Sequence, residues 1–93
     1  MADIRSLEDA IRRIIIERLE LEIEPSELEP TSDLKRDVGL DSAALLEVVA
    51  GLEEVFGFEV DIADVTEENF RNLAGLARYV ESRTGGARGG EAC

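Results

Sequence analysis

Asp41-Ser42 is the place in this chain where residue type and spacing suggest chemistry. Gly39-Leu40 leads into the pair and Ala43-Ala44-Leu45-Leu46 follows it. A turn glycine, an acidic helix cap and an apolar, helix-forming run place one hydroxyl at the exposed tip of a helix. Asp41 is the expected cap, which leaves Ser42 at the first helical position. Amides of a first helical turn lack partners within the helix, and the helix dipole adds partial positive charge there. A phosphate joined to Ser42 would be stabilised by that end. The chain contains no histidine, and no base beside Ser42 is visible to take its proton. A serine so placed can be a covalent attachment point and need not be a catalyst. Taken alone, Asp-Ser ahead of an apolar helix is also an ordinary helix start.

The composition narrows the rest. With 93 residues the chain supports one small domain with one modest core. Hydrophobic residues make up 44%, too many for a wholly disordered chain. Twenty-two acidic and ten basic residues give a net charge of -12. Nucleic acid and anionic membrane surfaces are poor partners for such a chain, because both are bound by Lys and Arg. Proteins with basic patches are the expected partners, attracted over a range that salt shortens. A single cysteine, Cys93, excludes an internal disulfide. With no histidine it also excludes a Cys/His zinc site and a Ser-His triad within this chain. The charged stretch Met1 to Arg13 is unlike a signal peptide, and no segment reaches transmembrane length, so a soluble cytoplasmic protein is expected.

Three helices must position the serine. Ile4, Leu7, Ile11, Ile14, Ile15 and Leu19 recur at steps of three and four, which predicts a first helix over about residues 4–21. Asp3 or Ser6 is its candidate cap, and Ser6 with Asp9 resembles an acidic capping box. Arg5, Arg12, Arg13, Glu17 and Arg18 are expected on its solvent side, with Ile16 between the faces. Residues 22–41 form a long loop interrupted by Pro25 and Pro30. Ile23, Leu28, Leu34, Val38 and Leu40 are spaced to pin it to the core. Asp33 and Asp37 within it do not make a calcium loop, because Lys35 stands where an oxygen ligand is needed and Val38 where glycine is.

The second helix runs from Ser42 to Phe56 with a broad apolar face: Leu45, Leu46, Val48, Val49, Leu52, Val55 and Phe56. Gly51 allows close packing and Gly57 suits the helix end. Phe58, Val60 and Ile62 alternate like a strand but have no partner strand, so an extended connector is expected. A short helix around Thr66 to Phe70 and a last helix over residues 73–83, capped by Asn72, complete the domain. The last helix buries Leu73, Leu76, Ala77 and Val80. The fold class is all-α: a small four-helix bundle of three main helices and one short one, with a long loop between the first two. The domain spans residues 1–84, and the glycine-rich stretch 85–93 is a flexible tail.

This order of elements, with Asp33-Leu34, Val38-Gly39-Leu40-Asp41-Ser42 and Leu52-Glu53-Glu54-Val55-Phe56-Gly57, resembles the acyl carrier and peptidyl carrier proteins of the free-standing type. The resemblance covers about residues 4–83, and Glu68-Asn69-Phe70 with Leu73 adds to it. It implies that Ser42 receives 4′-phosphopantetheine from coenzyme A through a separate phosphopantetheinyl transferase. The thiol of the arm then holds cargo as a thioester, and the chain is not an enzyme. Family members often carry acids just before the serine and at five, eleven and twelve residues after it. Here these are Asp41, Glu47, Glu53 and Glu54, which the resemblance assigns to contact with Arg and Lys of partners. Leucine usually follows the serine, whereas this chain has Ala43, so partner recognition there is altered.

The reading is an acyl carrier, a monomer, serving polyketide or related specialised biosynthesis. It is served by the transferase, an acyl- or aminoacyl-loading enzyme and downstream synthase or tailoring enzymes. An aminoacyl or peptidyl carrier of a nonribosomal pathway and an unmodified helical adaptor are the alternatives.

Overall fold

The computed structural model describes residues 4–85. The expected tail from residue 86 onward, Cys93 included, and the candidate cap Asp3 lie outside them. Among the described residues there are four α-helices, α1 (Ile4–Arg18), α2 (Leu34–Asp37), α3 (Ser42–Phe56) and α4 (Leu73–Thr84), and no strand. The all-α architecture expected from the sequence is the one found. Helix α1 is the central element and packs against both α3 and α4. Leu7, Ile11, Ile14 and Ile15 of α1 meet Val48, Leu52 and Phe56 of α3 and Leu73, Leu76, Ala77 and Val80 of α4 in one core.

Several boundaries differ from the sequence expectation. Helix α1 stops at Arg18, because Glu20 turns into the left-handed region at φ 52°. The Leu21 amide then donates to the Ile16 carbonyl and the Glu20 amide to that of Glu17, which closes the helix as a Schellman motif. Ser6 sits inside α1 and not at its cap, and Asp9 pairs with Arg12. Arg12 and Arg18, expected on the solvent side, are half-buried. Arg12 donates from Nε to the Leu28 carbonyl at 2.8 Å, tying the long loop to α1.

That loop is ordered by its apolar pins. Leu28 and Leu34 are fully buried, and Ile23, Val38 and Leu40 pack against the core. The short helix lies here, at α2, capped by Asp33, whose carboxylate accepts from the Arg36 amide at 3.2 Å. Thr66–Phe70, where a short helix was expected, makes a single turn: the Phe70 amide donates to the Thr66 carbonyl and the Asn69 amide to Thr66 Oγ1. Phe58 and Val60 point inward as the alternation implied, but Ile62 opens a 3₁₀ turn and is 84% exposed. The broad apolar face of α3 is narrower than expected too. Val48, Leu52 and Phe56 are buried and Leu45 and Val49 half-buried, while Leu46 and Val55 face solvent.

Candidate functional site

Ser42 is the first residue of α3 and is exposed. Asp41 caps the helix: its carboxylate accepts from the Ala44 amide at 2.9 Å and its carbonyl from the Leu45 amide at 2.7 Å. Gly39 makes the turn into the cap at φ 70°, a backbone conformation that costs a side-chain-bearing residue about 1 kcal/mol or more. No atom lies where a Cβ would point, so glycine is required here by conformation and not by space. The preceding turn is anchored from below. The Leu40 amide donates to the Leu34 carbonyl, and the Leu34 amide donates across to the Arg71 carbonyl at 2.8 Å. Ser42 is thus fixed through α2 to the segment that precedes α4.

A groove of about 500 Å³ opens beside the serine. Leu40 and Leu45 line it on the Ser42 side, and Val65 and Phe70 on the side of the α3–α4 connection. Lys35 and Glu67, paired at 3.2 Å, also line it. The α3–α4 connection is itself tied down. Asp64 accepts at its carboxylate from the Tyr79 hydroxyl at 2.9 Å and from Arg83 at 3.2 Å, and at its carbonyl from Asn69 Nδ2 at 2.9 Å. Burial, and next the bond to Asp64, push the Tyr79 hydroxyl above its ordinary pKa of 10.0.

The other residues singled out in the sequence lie along α3. Ala43 is exposed beside Ser42. Glu47 and Glu54 are exposed, and both face Arg18 of α1, at 3.7 Å for Glu47 and by a direct hydrogen bond for Glu54. Glu53 is half-buried and accepts from the Val60 amide at 2.8 Å, so it holds the chain as it leaves α3. In the sequence Arg18 is only a solvent-side residue, Val65 is not singled out, and Phe70 is named only within Glu68-Asn69-Phe70 and the short helix, not as part of the site. Arg18 stands four residues after Ile14, on the edge of the apolar stripe, and that spacing is the one signal available for it. Val65 and Phe70 reach the groove through tertiary structure alone.

The arrangement presents a hydroxyl with no histidine in the chain to activate it. It fits a protein that is modified by another, on an anion-favouring helix end, with an apolar groove at hand. That defines a small helical domain with an exposed hydroxyl open to covalent modification at a helix start. Comparison with known proteins agrees. Residues 9–80 match the family model described as the phosphopantetheine attachment site. The acyl carrier protein of Chlamydia caviae is 35% identical over 80 residues, covering 86% of this chain and 99% of that one. That of Chlamydia felis is 34% identical over 80 residues, covering 86% and 97%. The solution structure of a holo acyl carrier protein from Nitrosomonas europaea superposes with a TM-score of 0.75 at 33% identity, covering 84% of this chain and 95% of that one. A chain in the crystal structure of Bradyrhizobium japonicum glycine:[carrier protein] ligase complexed with glycylated carrier protein gives 0.61 at 28% identity, covering 76% and 95%. The chain belongs to the acyl carrier protein family and carries 4′-phosphopantetheine covalently. It is a carrier and not an enzyme.

Proposed function

We propose that residues 1–84 form a cytoplasmic, monomeric acyl carrier in which Ser42 bears the arm and which serves polyketide or related specialised biosynthesis. The observation that carries the assignment is the exposed Ser42 hydroxyl at the start of α3, capped by Asp41 and bordered by the apolar groove. The arm supplies a thiol on which cargo is held as a thioester. The chain's own residues do the rest. Asp41 holds the helix start in register, the first-turn amides favour the phosphate, and Leu40, Leu45, Val65 and Phe70 offer apolar surface to cargo. Asp41, Ala43, Glu47, Glu53 and Glu54 make up the face met by the transferase, loading enzymes and downstream synthases. Ala43 in place of leucine supports a specialised pathway. Glu68-Asn69-Phe70 supports it less, since Asn69 and Phe70 serve the turn and the core.

An aminoacyl cargo is the second reading, favoured by the likeness to a chain in the glycine ligase complex. The test is intact mass after incubation with coenzyme A and a broad-specificity transferase. The wild type should gain one phosphopantetheinyl group and Ser42→Ala none, with unchanged helix content. Gain by the alanine variant would remove Ser42 from the role. Loading of the holo protein from acyl-coenzyme A or by amino-acid ligases then separates the two cargo readings.

A further inference from the structure

Glu47, Gly51 and Glu54 are spaced by four and three residues and therefore share one face of α3. Arg18, the last residue of α1, crosses that face. Its Nη2 donates to Glu54 and its Nη1 lies 3.7 Å from Glu47. A Cβ on Gly51 would stand 3.3 Å from Arg18 Nε and 3.4 Å from its Cγ, so the arginine stem lies along bare glycine backbone. The two carboxylates remain largely open, at 57% and 68% exposure, while the Arg18 side chain is 29% exposed. A guanidinium of this chain therefore already occupies the face that the preceding reading gives to basic side chains of partners.

We propose that Arg18 is an internal competitor that weakens docking of basic partner proteins on α3. The proposal rests on the reading of Glu47 and Glu54 as partner contacts. A partner arginine or lysine arriving at Glu54 must displace Arg18 or share the carboxylate with it. Either way the face presents one net negative charge where two carboxylates alone would present two. Exposed ion pairs are worth about 0–1 kcal/mol, so the internal pair reduces partner affinity by up to roughly fivefold. A carrier must be released by each enzyme in turn, and a built-in cation favours release.

The test is the Kd of the apo protein for a phosphopantetheinyl transferase with a basic docking face, measured at low and at physiological salt. Arg18→Gln should lower Kd roughly two- to fivefold, with the gain fading as salt rises. Arg13→Gln, at an exposed position of α1, removes the same charge and controls for long-range attraction. Arg18→Met keeps the apolar stem along Gly51 and is read in the same way if the glutamine variant folds poorly. A Kd for Arg18 variants equal to that of Arg13→Gln, or weaker than wild type, overturns the proposal. Neutralising Glu47 and Glu54 together in the Arg18→Gln background separates the two readings. A weakened Kd there, with no gain from Arg18→Gln alone, overturns the competition and leaves the contact role standing. No change there removes the contact role as well.

Discussion

Gly51→Ala sets two known magnitudes against each other at the α1–α3 contact. An ideal Cβ at this position falls 2.5 Å from Ile14 Cγ2, where carbon atoms in contact sit about 3.5–4.0 Å apart. Cγ2 is attached directly to the Cβ of a β-branched residue, whose χ1 is nearly fixed in a helix, so it cannot swing away. Ile14 is only 7% exposed, so it is enclosed by the core. The helices must move apart by about 1 Å or Ile14 must leave its rotamer, a strain of about 1–3 kcal/mol. Against this, alanine for glycine inside a helix gains about 1 kcal/mol. The net expectation is a loss of about 1 kcal/mol, or a fall in Tm of about 4–8 °C for a domain of this size. Urea unfolding followed by far-UV circular dichroism measures it. In an Ile14→Ala background the clash is gone, and the same substitution should become stabilising, a coupling that a double-mutant cycle reads directly. Pantetheinylation should hardly change, since Ser42 lies about 13 Å along the helix from Gly51. A gain of about 1 kcal/mol from Gly51→Ala alone would show that propensity acts unopposed and that α1 and α3 do not approach as described.

Asp41→Ala removes the cap bond to the Ala44 amide and should cost about 1 kcal/mol in urea unfolding, whereas Asp41→Asn keeps the cap and should stay within about 0.5 kcal/mol. If the two variants lose pantetheinylation rate alike, the negative charge at 41 matters to the transferase beyond its capping role. Glu20→Gly relieves the left-handed backbone at φ 52° and should stabilise by about 0.5–1 kcal/mol, measured by the urea midpoint. Tyr79 is the only tyrosine, so tyrosinate absorbance reports it alone and should titrate above 10.0 in the folded protein. The folded state then holds this proton more tightly than the unfolded chain. Its contribution to stability is full below pH 10.0 and is lost as pH rises through the raised value, and Tyr79→Phe should remove that part of the alkaline decline.

The main helices were legible because each carries an apolar period, and α3 and α4 also carry polar caps, Asp41 and Asn72. The pinning of the long loop by Leu28 and Leu34 was legible for the same reason, as isolated leucines in a polar stretch. The end of α1 was not, because Glu20 takes the position where glycine would have signalled a stop. Helix α2 is one turn long, too short for periodicity, and only Asp33 marks it. Leu46 and Val55 look like core residues in sequence. Which arc of α3 faces inward is set by where α1 crosses it, and α1 crosses at Gly51. Ser42 could be picked out from its neighbours, but the groove beside it could not. Two of its four apolar lining residues are Val65 and Phe70, brought there by bonds such as Leu34 to Arg71 that leave no mark in local sequence.

Everything proposed for this carrier depends on the arm being joined to Ser42. That attachment is tested most directly by tandem mass spectrometry of peptides from protein modified with coenzyme A and a transferase. The phosphopantetheinyl group is expected on the peptide containing Asp41-Ser42-Ala43, localised to Ser42 by its fragments. The group found instead on another hydroxyl, such as Ser32 or Thr66, would contradict it.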